Sequence, residues 1–216
     1  MTTLQLLGLV GFLAVLGTVC KNINWHKFID HKKSQHMLFG CAAAVFFLWI
    51  FRASVPAAPS PSVHFLWVVA LALTLGFRFA ILAATLALVG VTIAGKESWE
   101  MLGVNGLLGI TAPIALGYLI FMLVFHKLPR HVFVYIFLCA FIPGAMAIAF
   151  KMALMGGYYY LDDVYTWSVI KDNYLVLIPL LLFPEGMLNG MTMTMLIIYF
   201  PSLAYTFHDK FYIDGK

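Results

Sequence analysis

Glu185 constrains this chain more than any other residue, because it lies inside an apolar run long enough to cross a membrane, residues 180–200 (LLLFPEGMLNGMTMTMLIIYF). Measured along a helix from the polar residues Asn173 and Tyr174, it lies about 16 Å deep, near the centre of a hydrocarbon layer about 30 Å thick. Insertion of an acidic residue at that depth costs about 2.5–3.5 kcal/mol, so the carboxylate should face protein, water or a cation. We therefore expect the functional centre in this last helix.

Helical spacing places Asn189 and Met193 on the same face as Glu185, because side chains four residues apart stack along a helix. Pro184 and Gly186 flank the carboxylate and should weaken or bend the helix locally, leaving backbone carbonyls free as ligands. We predict that Glu185 and Asn189 bind substrate and that Glu185 is also a metal ligand. The alternative is a purely structural pair that joins helices, in which a protonated carboxyl group suffices.

Composition sets the fold class. The chain is 63% hydrophobic and only 10% charged, and its apolar segments are about 17–25 residues long without strand-like alternation. An all-α, polytopic membrane protein is predicted. It should be a single integral membrane domain over residues 1–216, since the longest polar connector, residues 21–36, is too short for a separate domain.

We predict seven crossings, of which the third and fourth are short: residues 4–20, 37–51, 63–75, 79–94, 103–125, 132–155 and 174–200. Nine of the 13 Lys and Arg residues then fall on one side, in the connector 21–36, at Arg78, in the loop 126–131 and in the C-terminal tail. Basic loops favour the cytoplasm, so the N-terminus is predicted outside and the C-terminus inside. The expected location is the inner (plasma) membrane, as a multi-pass protein in contact with lipid.

Two further residues are candidate ligands. His64 opens the third crossing directly after a Pro/Ser-rich stretch, and imidazole is a common ligand of transition metals. It could equally be an interfacial histidine bonded to a loop carbonyl. Asn105 lies between Gly103 and Gly106 at the start of the fifth crossing, where its amide could bind a cation or hold a loop in place.

The sequence lacks the motifs of several enzyme classes. It contains no Walker A, HExxH or GxSxG pattern, and its three Cys residues have no CxxC spacing. We therefore expect no enzymatic activity, no covalently bound cofactor and no nucleic-acid partner.

Residues 60–121 carry a recognisable pattern: a His at the head of a Leu-rich helix (SPSVHFLWVVALALTLGF), a second Ala/Leu helix, and a glycine-flanked Asn before the next span (LGVNGLLG). This pattern resembles the core of the cobalt/nickel membrane subunits of energy-coupling factor transporters. The segment FPEGMLNGM and the short Lys-rich tail look like a proteobacterial branch of predicted energy-coupling-factor permease-like membrane proteins.

The resemblance implies a fold like that of the substrate-binding components of these transporters, and uptake of a divalent transition metal such as cobalt or nickel as substrate. It also implies that His64 is a metal ligand, that Asn105 lines the site, and that separate ATPase and coupling subunits dock on the cytoplasmic loops. The cobalt/nickel subunits begin Met-His-Ile, whereas this chain begins Met1-Thr2-Thr3. We therefore expect either a different ligand set, which could include Glu185, or a different substrate.

Two other functions stay open on the sequence. A membrane enzyme or metal-insertion factor could use Glu185 as an acid or base with His64 or Asn189. A structural subunit of a larger complex would need none of these side chains for chemistry.

Overall fold

The computed structural model describes residues 1–53, 61–208 and Tyr212. Most of the Pro/Ser-rich stretch and the lysines of the C-terminal tail lie outside the described residues. The helices are α1 (Thr3–Lys21), α2 (Trp25–Asp30), α3 (Lys32–Ile50), α4 (Val68–Leu75), α5 (Phe77–Ile93), α6 (Trp99–Lys127), α7 (Val132–Leu161), α8 (Trp167–Asn173) and α9 (Ile178–Tyr199).

Within the described residues, five helical segments are long and apolar enough to cross a membrane. They are α1, α3, α6, α7 and the segment Trp167–Tyr199, which contains α8 and α9. Helix α5 is a shorter apolar helix and α4 has only eight residues. The predicted polytopic helical fold is confirmed, with the third and fourth crossings as its short members.

Helix α4 forms the centre of the fold. Its sequence, VVALALTL, is apolar around the whole circumference, and all eight residues are buried. A helix of this kind is stable only when other helices cover every side. Helices α5, α6, α7 and α9 all pack against it.

The predicted third crossing is helical only in its second half. Residues 61–67 are irregular, and Trp67, with φ 57°, adopts a left-handed conformation immediately before α4 begins. Ala53 and Val63 exchange two backbone hydrogen bonds of 2.9 and 2.8 Å, which fix the start of this segment. Helix α9, by contrast, continues through Pro184. The irregular backbone therefore belongs to the segment before α4 and not to α9, which stays helical at Glu185.

Helices α6 and α7 each contain a wider, π-helical turn, Asn105–Thr111 and Tyr135–Phe141. A proline follows each turn two residues later, at Pro113 and Pro143. Proline has no N–H and its ring would clash with the carbonyl four residues earlier, so widening the preceding turn relieves both problems. In α6 this turn begins at Asn105, beside the cavity described below.

Candidate functional site

Glu185 binds the start of the buried helix α4. Its Oε2 accepts a 2.8 Å hydrogen bond from the backbone N–H of Leu66, and its Oε1 accepts a 2.7 Å bond from that of Trp67. Asn189 Nδ2 donates a further 2.8 Å bond to Oε1. The N–H groups at the start of a helix have no partner within the helix and attract negative charge. Glu185, which is 0% exposed, supplies the missing partners.

The other residues of the predicted polar face of α9 contact successive turns of α4. Asn189 Oδ1 accepts a 2.8 Å hydrogen bond from the N–H of Ala70, and Met193 Sδ lies 3.7 Å from the hydroxyl of Thr74. The contacts Leu66–Glu185, Ala70–Asn189 and Thr74–Met193 all have a sequence separation of 119. Helices α4 and α9 therefore run parallel and stay in register over these contacts.

The other end of α4 is closed by the segment after α9. The backbone N–H groups of Tyr205 and Thr206 donate to the carbonyls of Thr74 and Leu73, over 3.1 and 3.2 Å. The Thr206 hydroxyl adds a 2.9 Å bond to the carbonyl of Leu73. Both ends of this short helix are thus satisfied by protein, as they must be where water is excluded.

His64 lies three residues before the end of the irregular segment, and both of its ring nitrogens are engaged. Nδ1 is 2.9 Å from the carbonyl oxygen of Phe65, and Nε2 is 3.1 Å from Nζ of Lys151. A carbonyl only accepts and an ammonium only donates. With Lys151 as an ammonium, His64 is the neutral tautomer that carries its proton on Nδ1, and the Nε2 lone pair faces Lys151.

Trp49 holds the irregular segment in position. Its ring centroid is 5.4 Å from that of His64, and its Nε1 donates a 3.1 Å hydrogen bond to the carbonyl of Leu66. The N–H of Leu66 is the one bound by Glu185. One short stretch of backbone thus connects the Glu185 carboxylate to the His64 ring.

His64 and Lys151 line a cavity of about 340 Å³, here called the His64 cavity, at the end of the bundle where α3 ends and α6 begins. Arg52, Glu97 and Asn105 are on its wall. Glu97 Oε1 forms an ion pair with Arg52, while its Oε2 accepts a 2.9 Å hydrogen bond from Asn105 Nδ2. Arg52 also donates to the carbonyls of Trp49 and Lys96, each over 3.1 Å.

The structure brings two of the predicted site residues, His64 and Asn105, to the His64 cavity. Glu185 and Asn189 are not among its lining residues; they lie behind it and hold the segment that carries His64. Direct ligation of a metal by Glu185 would have to compete with the hydrogen bonds that its carboxylate accepts from Leu66, Trp67 and Asn189. Whether any of the four residues binds substrate stays a prediction.

Four charged groups that were not predicted as site residues line the cavity, on Arg52, Lys96, Glu97 and Lys151. Lys151 had a detectable signal: it is a lone charge inside the apolar stretch AMAIAFKMALM, and the cost of an intramembrane charge applies to it as it does to Glu185. Arg52, Lys96 and Glu97 had no such signal, because each is an ordinary charged residue at the end of a span.

Fold and site together define a multi-pass helical membrane protein with a polar cavity, built around a buried half-length helix. The profile of the family described as the cobalt uptake substrate-specific transmembrane region matches residues 2–203. The chain belongs to this family, and it is a component for metal uptake rather than an enzyme.

The solved structures include a match of the same fold. It is described as the crystal structure of a truncated transition metal transporter, and it has a TM-score of 0.76 and 19% sequence identity. The alignment covers 90% of this chain and 94% of that one. A search of curated proteins finds no significant match.

Proposed function

We propose that this protein is the substrate-binding membrane subunit of an energy-coupling-factor-type transporter, and that it takes up a divalent transition metal ion, cobalt or nickel. The family assignment over residues 2–203 carries this proposal. The His64 cavity is the proposed site, because it presents a neutral imidazole whose Nε2, in contact with Lys151, is the type of ligand such metals prefer.

The four predicted site residues have different parts in this proposal. His64 contributes Nε2 to the metal, and Asn105 shapes the wall beside Glu97. Glu185 and Asn189 act as positioning residues, because their hydrogen bonds to Leu66, Trp67 and Ala70 set where the His64 backbone lies.

The proposed partners are separate ATPase and coupling subunits. The basic connector 21–36 offers a docking surface, since Lys27, Lys32 and Lys33 on or beside α2 are all exposed. The proposed orientation has this connector and the loop 126–131 in the cytoplasm, with the His64 cavity on the outer side of the inner membrane. Substrate would then enter from outside and ATP would be used inside.

The test is the metal content of protein purified without chelator, measured by elemental mass spectrometry beside His64→Ala and His26→Ala. His26 is an exposed histidine of α2 and serves as the matched control. We expect bound cobalt or nickel in the wild type and in His26→Ala, and little in His64→Ala. Unchanged cellular cobalt and nickel on deletion of the gene, together with no ATPase co-purifying, would contradict the proposal.

A further inference from the structure

The charges on the wall of the His64 cavity are unusual for a site that receives a metal cation. Among the described residues, three cationic side chains line it, on Arg52, Lys96 and Lys151, against the single carboxylate of Glu97. Both oxygens of that carboxylate already have a partner in the protein, Arg52 for Oε1 and Asn105 for Oε2. Since His64 is neutral, the lining has an excess of positive charge.

Of these three cationic side chains, Lys151 is the most deeply buried. The residue is only 7% exposed, and its Nζ contacts Nε2 of His64 at 3.1 Å. Within residues 1–53, 61–208 and Tyr212, no carboxylate lies at ion-pairing distance from it. Glu97 and Glu185 act on Lys151 only from beyond that distance. A buried ammonium without an adjacent counter-ion is costly, so a ligand that brings negative charge to this point would stabilise the site.

A bare divalent cation would make the imbalance worse. To bind Nε2 of His64 it would have to take the place of the Lys151 ammonium and remain beside it. Nor do the described residues offer anionic ligands, because no three His, Cys, Asp or Glu side chains among them gather closely enough to hold a metal ion. The cavity suits an anion better than it suits a free metal ion.

We propose that the His64 cavity takes its metal as a small anionic chelate, in which the carboxylates of an organic acid surround the ion and pair with Lys151 and Arg52. This inference rests on the proposed function and specifies its substrate class. The metal then arrives with its charge already neutralised, and Lys151 gains the partner that the protein does not provide. A cavity of about 340 Å³ is at the lower end of the range for small organic ligands.

The experiment measures the binding of three probes to the full chain in detergent by equilibrium dialysis. The probes are Ni²⁺ alone, citrate alone and the 1:1 nickel–citrate complex, each labelled with radioactive nickel or radioactive carbon. We expect the complex to bind at least tenfold tighter than Ni²⁺ alone, with nickel and citrate retained together. Lys151→Met should weaken binding of the complex at least tenfold, and Lys151→Arg, which keeps the charge, should restore most of it. Lys171→Met is the matched control, because Lys171 is exposed on α8, and it should bind as the wild type does.

Several outcomes would overturn the inference. If Ni²⁺ alone binds as tightly as the complex, the substrate is the bare ion, and the metal permease stands without the chelate. Loss of Ni²⁺ binding in Lys151→Met would identify Lys151 as an amine ligand, and retention of citrate without nickel would make the ligand an organic anion. If no probe binds, the chelate is excluded, and the cellular metal contents described above decide the proposed function independently. Unfolding curves for each variant separate loss of binding from loss of fold.

Discussion

Nζ of Lys151 lies 3.1 Å from Nε2 of His64, so a lysine of α7 holds the one imidazole nitrogen in the His64 cavity that could bind a metal. The other nitrogen is bonded to the carbonyl of Phe65. The availability of His64 as a ligand is therefore set by a residue far away in sequence, and a substitution on α7 should change it.

Removing the Lys151 charge should make the cavity more receptive to a bare cation. In Lys151→Met the Nε2 lone pair of His64 is free and the nearest positive charge is gone, so we expect the affinity for Ni²⁺ alone to rise about tenfold. Equilibrium dialysis with Ni²⁺ measures this, and Lys151→Arg should leave that affinity at the wild-type level. An unchanged affinity in Lys151→Met would mean that metal does not reach His64.

Glu185 should be needed for stability. In Glu185→Gln one carboxyl oxygen becomes an NH₂ group that faces a backbone N–H, so the start of α4 loses a hydrogen bond. We expect a loss of about 1–3 kcal/mol in the free energy of unfolding, measured by denaturant titration in detergent. Glu100→Gln is the control, since the Glu100 side chain is 62% exposed and its contact with the N-terminus is a surface pair. Equal stability of the two variants would contradict this role.

Asn189→Ala should also destabilise the protein, because the N–H of Ala70 would lose its acceptor in a buried, apolar setting. We expect a cost of about 1–3 kcal/mol. Thr194→Val is a suitable comparison on the same helix, since that hydroxyl bonds to the carbonyl of Gly190 one turn earlier in the same helix. Both variants can be followed by thermal unfolding, and only Asn189→Ala should unfold at a clearly lower temperature.

Thr206 should couple the segment after α9 to the core. Its hydroxyl donates to the carbonyl of Leu73 and accepts a 2.7 Å bond from the hydroxyl of Tyr135. Thr206→Val and Tyr135→Phe should each destabilise the protein by about 1 kcal/mol, and the double variant by less than their sum. Fully additive effects in a denaturant titration would indicate that the two hydroxyls act independently.

Gly103 marks a close approach of α1 and α6. A Cβ at this position would collide with the backbone of Leu9, which cannot move away as a flexible side chain could. Gly103→Ala should therefore prevent native packing or lower stability by several kcal/mol. Gly17→Ala in α1, where a Cβ would meet nothing within 4 Å, should instead stabilise the helix by about 0.5–1 kcal/mol. The melting temperatures of the two variants should shift in opposite directions.

The sequence was sufficient to predict which residues form the polar face of the last helix. The 3.6-residue period alone aligns Glu185, Asn189 and Met193, and the cost of a charge in hydrocarbon alone requires partners for the carboxylate. The identity of those partners was not predictable. They are backbone N–H groups about 119 residues earlier, freed because residues 61–67 are irregular and α4 begins only at Val68.

The balance of charge at the cavity could not be predicted from the sequence, for a similar reason. Arg52, Glu97 and Lys151 belong to three different parts of the chain, and only the packing of α3, α6 and α7 around α4 brings them to His64. Hydropathy marks Lys151 as a lone charge within an apolar stretch, whereas its burial depends on what surrounds it.

The sequence by itself determined the helical membrane fold, the apolar crossings and the residues that cannot face lipid, because these follow from local composition and helical periodicity. Only the tertiary structure decided that Glu185 closes the end of a buried helix while His64 faces a cavity and a lysine. Hydrogen bonds and charge pairs between segments far apart in sequence depend on how the helices pack, and no local pattern encodes that arrangement.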